Sequence, residues 1–171
     1  SQWLYKYAPN MIDIWAPDIH YVGGEYRMYY CGSEMGIRSS GMGFMSSKEI
    51  DPTKPGYGWT DQGEVIHTVK SDAYNAIDAA VLKDLDGKVW MAFGSWGTGI
   101  HIIELDEKTG KVKNGAKMQN IANRGGAGVE GASLIEHNGK YFLFTAWDNC
   151  CKKGADLENN SYKTTVGRSN R

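Results

Sequence analysis

Hydrophobic residues in this chain fall into short runs of aromatic and aliphatic side chains separated by polar positions, and one arrangement of these runs occurs three times. Residues 16–30, 79–93 and 131–145 each contain two β-forming runs on either side of a glycine-containing pair. The pairs are Gly23-Gly24, Asp86-Gly87 and Asn138-Gly139. Such dipeptides tolerate the positive φ angles of a two-residue hairpin loop. The pattern therefore predicts three β-hairpins.

The hairpins repeat at a spacing that suits a larger unit. Successive turn glycines lie roughly 50–60 residues apart, enough for a four-stranded sheet. Stretches at 41–47, 100–105 and 163–168 supply outer strands, and no amphipathic helix is evident. The sequence therefore predicts an all-β fold in which residues 1–70, 71–125 and 126–171 are approximately three blades of a β-propeller.

Propellers close with four to eight blades. We therefore expect this chain to supply about three blades of a larger propeller, with a first blade and a closing blade missing. The remaining blades would come from further sequence or from a second chain.

Composition narrows the choice of ligand. The chain has six Trp, ten Tyr and twenty-two Gly in 171 residues, and aromatic faces stack well on sugar rings. Its formal net charge of -1, without a basic stripe, argues against nucleic acid as a partner. The uncharged stretch 89–103 is too short and too rich in glycine to span a bilayer, so no membrane partner is predicted.

Cysteine and histidine residues predict no metal site. Cys31, Cys150 and Cys151 lack zinc-site spacing, and the four histidines have no ligand-like pattern. Adjacent Cys150 and Cys151 could form a vicinal disulfide, although we expect two thiols.

Two carboxylates coincide when the repeats are aligned on their turn glycines. Asp78 and Glu130 then occupy one position, directly before the first hairpin strand, where Trp15 stands in the first repeat. Equivalent positions of a propeller face one central channel. One carboxylate at a strand start is usually a turn cap, but two at one position favour a site, and a carboxyl pair can cleave a glycosidic bond. Asp18, three residues beyond this position, is predicted to be structural.

Six short strings then resemble one known family. They are residues 15–19 (WAPDI), 75–78 (NAID), 93–100 (FGSWGTGI), 129–133 (VEGAS), 148–151 (DNCC) and 165–169 (TVGRS). Their order and spacing resemble the arabinanase branch of glycoside hydrolase family 43. The resemblance implies a five-bladed propeller and an inverting, endo-acting hydrolysis of α-1,5-linked L-arabinan or arabino-oligosaccharides.

The resemblance also assigns roles. Glu130 matches the general acid, and Asp78 matches the residue that tunes the proton affinity of that acid and holds the sugar. The family's general base is an aspartate in the first blade, upstream of Trp15, so this chain is expected to lack it. The implied substrate-binding residues are Trp15, Gly36, Asn75, Ala76, Ile77, Ser95, Trp96 and Gly97. Trp147 is expected to be structural.

Other properties rest on the resemblance alone. No cofactor is visible in the sequence, but calcium is possible through a histidine that lies outside this chain. The resemblance implies an extracellular or periplasmic protein. Two alternatives stay open: an exo-acting α-L-arabinofuranosidase or β-xylosidase of the same fold, and a propeller that binds sugar without cleaving it. An aspartate in the missing first blade would distinguish a hydrolase from a protein that only binds sugar.

Overall fold

A computed structural model describes residues 1–150 and 161–170, which form three antiparallel β-sheets. This described part has no α-helix; its one helical segment is a 3-10 helix at Gln2–Lys6. The first sheet has the strand order β1-β2-β3-β4, formed by Ile14–Val22, Glu25–Gly32, Ser40–Ser47 and Thr60–Thr68. The second has the order β5-β6-β7-β8, formed by Ala80–Lys83, Val89–Phe93, Ile100–Leu105 and Gln119–Ala122.

The third sheet has the order β9-β10-β11, formed by Val129–His137, Lys140–Trp147 and Lys163–Ser169. Strand β5 contacts both β1 and β9, so the first strands of the three sheets are neighbours. The predicted all-β architecture is confirmed. Among the described residues, no helix has the length and apolar character that a bilayer crossing requires.

Two apolar layers hold the sheets together. Between the first and second sheets, Tyr29 and Phe44 pack with Met91 and Phe93, all four at most 2% exposed. A smaller layer centred on Val129 joins the second and third sheets. Burial of such side chains contributes roughly 1.5–3 kcal/mol each, so the interfaces between sheets are the main source of stability.

Polar contacts also tie the first two sheets together. Arg27 is 2% exposed and donates hydrogen bonds to the carbonyl oxygens of Glu107 and Lys108, at 2.8 and 3.3 Å. Lys111 donates to the three carbonyl oxygens of residues 62–64. Because the loop between β7 and β8 is held from both sides, the second sheet is fixed in position against the first.

Two of the three predicted hairpin loops are confirmed. Two-residue loops join β1 to β2 and β9 to β10, and all four of their residues have positive φ angles. The prediction of a two-residue loop at Asp86-Gly87 is wrong, because residues 84–88 separate β5 from β6. Within them the Asp84 N–H donates to the Lys88 carbonyl at 2.8 Å, leaving a three-residue loop. The Asp84 carboxylate holds this longer loop by accepting from Lys88 N–H and from Trp90 Nε1.

Candidate active site

A β-bulge interrupts the first strand of each outer sheet near the start of that strand. In β1 the pairing shifts between Trp15 and Asp18, so that residues 16 and 17 lie opposite one residue of β2. In β9 the same shift places residues 131 and 132 opposite one residue of β10. Bulges of this kind occur near active sites because they turn a side chain away from the regular alternation of the strand.

The second sheet has the same irregularity just before β5. Gly94 N–H donates to the Ile77 carbonyl at 2.9 Å, whereas the next registered pair is Ala80 with Ala92, so residues 78 and 79 oppose one residue. The first extra residue is left-handed in all three sheets, with φ of 47° at Ala16, 60° at Asp78 and 59° at Gly131.

This common geometry corrects the sequence alignment by one residue. The bulges make Asp78 equivalent to Ala16 and Gly131, whereas Glu130 is equivalent to Trp15 and Ile77. The prediction that Asp78 and Glu130 share one position is therefore wrong. The cause is the three-residue loop of the second hairpin, which displaces an alignment made on the turn glycines.

The two carboxylates nevertheless line one cavity of about 1210 Å³. Most of the predicted site residues line it too, and they are Trp15, Gly36, Asn75, Ile77, Asp78, Ser95, Trp96 and Glu130. Two of the predicted residues lie outside the lining. Ala76 is fully buried in the core, and Gly97 packs so closely on the Ala73 carbonyl that a Cβ there would lie 2.2 Å from its oxygen.

Asp78 is partly buried, and its Oδ2 accepts a hydrogen bond from Gly131 N–H at 3.1 Å. Burial raises the pKa of Asp78 to about 6, the hydrogen bond from Gly131 opposes this, and the charge of Glu130 adds to it. An aspartate whose backbone is left-handed and whose charged form is disfavoured by burial destabilises the fold locally. Residues of this kind concentrate at functional sites.

Replacing Asp78 with asparagine should therefore change the pH dependence of stability. Because the folded pKa lies above the ordinary aspartate value, the protonated carboxyl favours folding below about pH 4, and this contribution is lost as pH rises through about 6. Asparagine tolerates the left-handed backbone and cannot ionise. We expect the free energy of unfolding of Asp78→Asn, relative to wild type, to rise by about 2 kcal/mol between pH 4 and 7.5.

Urea denaturation of this chain together with the blades expected to complete it measures this difference at both pH values. Asp86→Asn, at an exposed aspartate in the loop before β6, is the matched control for the substitution itself. A stability difference for Asp78→Asn that is constant with pH would contradict a raised pKa of Asp78.

Glu130 is held at both carboxylate oxygens. Ser95, buried directly after β6, donates its hydroxyl to Oε2 at 2.8 Å, and Tyr162 donates its hydroxyl to Oε1 at 3.0 Å. A carboxyl fixed in this way at a cavity can transfer a proton to a bound molecule. Sequence reasoning took Ser95 for a sugar contact and missed Tyr162, which lies 32 residues from Glu130 in the chain. The one feature of the sequence that could have indicated Tyr162 is its position three residues before the string at 165–169.

Another part of the lining is fixed by a chain of hydroxyl groups. Asn75 is 5% exposed, and its Oδ1 accepts from Ser40 Oγ at 2.6 Å, while Ser40 and Ser33 share a 2.7 Å hydrogen bond between hydroxyls. The amide of Asn75 is therefore oriented before any ligand arrives, as a polar binding site requires.

Trp96 provides an aromatic surface in this cavity. Its side chain is 40% exposed, its φ is 54°, and its N–H donates to the Val129 carbonyl at 2.9 Å. One edge of the indole lies against Gly128, where a Cβ would approach the ring to 2.9 Å. An exposed indole held by its backbone can stack on a sugar ring at low entropic cost.

Three further sequence predictions concern residues near the cavity. Asp18 accepts from Val81 N–H at 2.7 Å and contacts His20 Nε2 at 2.8 Å, which fits the structural role predicted for it. Trp147 packs in the second apolar layer with the Arg124 guanidinium 4.2 Å from its ring, as a structural residue should. Cys150 is disulfide-bonded, so the expectation of two thiols is wrong for this residue; Cys151 lies outside the described residues.

Residues 1–150 and 161–170 contain no group of three or more histidine, cysteine, aspartate or glutamate side chains arranged to hold a metal ion. The calcium prediction concerns a histidine outside this chain, and it stays a prediction.

Comparison with known proteins gives consistent matches. The family model described as Glycosyl hydrolases family 43 matches residues 1–171. The extracellular endo-α-(1→5)-L-arabinanase 1 of Bacillus subtilis (strain 168) is 40% identical over 171 residues, covering 98% of this chain and 50% of that protein.

Solved structures agree with these matches. The exo-1,5-α-L-arabinanase from a bovine ruminal metagenomic library matches with a TM-score of 0.91 and 36% identity, covering 100% of this chain and 57% of that one. The Cellvibrio cellulosa α-L-arabinanase, solved in complex with arabinohexaose, matches with a TM-score of 0.90 and 31% identity over the same shares of the two chains.

The chain spans about half the length of the Bacillus subtilis relative. Solved arabinanases are five-bladed β-propellers, and the three sheets described above correspond to part of such a propeller. The predicted fold class, a partial five-bladed propeller, is confirmed.

Proposed function

Because the chain belongs to the glycosyl hydrolases of family 43, we propose that it carries the proton-donating part of an active site that hydrolyses α-1,5-linked L-arabinan. One observation carries the proposal: Asp78 and Glu130 line a single cavity, and the backbone of Gly131 links them by its hydrogen bond to Asp78. Cleavage of a glycosidic bond needs a carboxylic acid at the leaving oxygen and a second carboxylate that acts on water.

In this mechanism Glu130 is the general acid. It donates its proton to the glycosidic oxygen while the bond from that oxygen to the sugar carbon breaks. Water attacks the carbon from the opposite face and gives its proton to a general base roughly 6.5–9.5 Å from the acid, so the configuration inverts. Asp78 holds the sugar beside the acid.

The general base is placed in a blade outside this chain. Two other carboxylates line the cavity, but each already has partners: Asp18 accepts from Val81 N–H, and Glu34 accepts from the backbone and side chain of Asn10. These contacts fit structural roles, so we assign neither of them as the base.

We favour endo action over exo action. The Bacillus subtilis relative is named as an endo-acting enzyme. The ruminal relative, named as exo-acting, keeps an exo-acting arabinofuranosidase as the second candidate. Because the Bacillus subtilis relative is extracellular, we also propose that this protein is secreted.

Product analysis tests the proposal. The protein to use is the full-length protein, meaning this chain together with the blades predicted to complete it. On linear α-1,5-arabinan we expect a rapid fall in viscosity and a ladder of oligosaccharides, with the first anomer detected by NMR inverted relative to the substrate. Release of arabinose alone would favour exo action, and release of xylose from xylo-oligosaccharides would favour a xylosidase. Binding without any product would contradict hydrolysis.

A further inference from the structure

We propose that Tyr162 is a positioning residue for Glu130, holding the carboxyl group in the orientation from which it transfers a proton to the leaving oxygen. The inference rests on the proposed function, and it adds a residue that no sequence motif assigned to the site. Tyr162 lines the cavity beside Glu130, and its hydroxyl donates to Glu130 Oε1 at 3.0 Å.

Glu130 needs external support because its own geometry does not orient the carboxyl group. The last torsion of a glutamate is broad and has only a weak preference, and Glu130 is only partly buried. The hydrogen bonds from Ser95 and Tyr162 reach different oxygens and come from segments next to different sheets, after β6 and before β11. Together they define the plane of the carboxyl group, whereas either one alone would leave it free to turn.

The backbone next to Glu130 lies beside the tyrosine hydroxyl. Gly131 has a φ of 59°, and a Cβ at this position would lie 3.9 Å from the Tyr162 hydroxyl. The phenol also stays protonated, because burial and the charge of Glu130 raise the pKa of Tyr162. Tyr162 is therefore a hydrogen-bond donor throughout the neutral range, and it keeps its proton during the reaction.

The ring of Tyr162 contributes little to the apolar core. Tyr162 is 39% exposed and belongs to neither apolar layer. Removing its hydroxyl should leave the fold intact, so an effect of Tyr162→Phe on catalysis can be separated from an effect on folding.

The test is Tyr162→Phe in the full-length protein. On arabino-oligosaccharides we expect kcat to fall roughly 10–100-fold, because a misoriented catalytic group costs up to about 10²-fold, with KM changed less than about twofold. With a 4-nitrophenyl leaving group, which departs without protonation, the loss should shrink to less than about threefold. A structural defect would reduce both activities equally. Tyr57→Phe, at an exposed tyrosine of the loop before β4 and outside the cavity lining, is the matched control and should behave as wild type.

Glu130→Gln separates failure of this inference from failure of the proposed function. If Glu130→Gln keeps full activity, the proposed acid is wrong and the inference falls with it. If Glu130→Gln is inactive on oligosaccharides but Tyr162→Phe matches wild type, only the positioning role is wrong. The inference expects the double variant to be no slower than Glu130→Gln alone, because residues that act as one unit are not additive. An additive double variant would overturn it.

Discussion

Glu130→Gln in the full-length protein is expected to lower kcat/KM on linear arabinan about 10²–10⁴-fold, the usual contribution of a general acid. Glutamine preserves the volume of the side chain and one oxygen that can accept from Ser95 or Tyr162, but it has no proton to give to a leaving alkoxide. The loss should therefore appear in kcat, with little change in the affinity for oligosaccharide.

Initial rates of reducing-end release on arabinan and on a 4-nitrophenyl arabino-oligosaccharide measure this effect. The second substrate should recover most of the lost rate, because nitrophenolate leaves without an acid. Glu136→Gln is the control on the same strand; glutamine there can still accept the hydrogen bond from Gly139 N–H, and wild-type rates are expected. Equal losses on both substrates would show that Glu130 does not act as the acid.

Residues 1–171 expressed alone are expected to have no measurable activity on arabinan, and addition of the missing blades should restore it. The chain carries no assigned base, and large apolar side chains on or near β1 are exposed: Ile12 by 92%, Ile14 by 50% and Tyr21 by 65%. In the third sheet, Val166 is 58% exposed. Apolar faces and unpaired strand edges of this kind favour association.

Size-exclusion chromatography, urea denaturation and arabinan hydrolysis of the two preparations test this expectation. We expect self-association and a broad unfolding transition for the isolated chain, and a monomeric, cooperative and active protein once the propeller is complete. A monomeric and active preparation of residues 1–171 alone would show that the blade count and the location of the base are wrong.

Short sequence patterns predicted the loops whose conformation depends on the loop residues themselves. The loops at Gly23-Gly24 and Asn138-Gly139 follow from residues that adopt positive φ without strain. The second hairpin misled the alignment, because the Asp84 carboxylate supports a longer loop through contacts with Lys88 and Trp90. Turn propensity contains no information about these side-chain contacts. The longer loop that they support nevertheless displaced the alignment of the second repeat by one residue.

The sequence predicted some residues of the site and missed others, whereas it predicted the hairpin strands more completely. Family resemblance indicated Asp78, Glu130 and six other residues of the cavity lining, whereas Ala76 and Gly97 lie outside that lining. The hydrogen bonds from Ser95 and Tyr162 to Glu130 join residues more than 30 positions apart. Contacts over such distances depend on how the sheets pack, which the periodicity of a single chain does not record.

The bulges have a consequence for how the chain tolerates insertions and deletions. Successive side chains of a strand point to opposite faces of the sheet in strict alternation. At residues 16–17, 78–79 and 131–132 this alternation shifts by one position. The residues before each bulge therefore do not continue the alternation of the packed strand after it. Deleting one residue of a bulge would therefore turn the side chains just before it toward the opposite face of the sheet. The strand after the bulge would keep its pairing register.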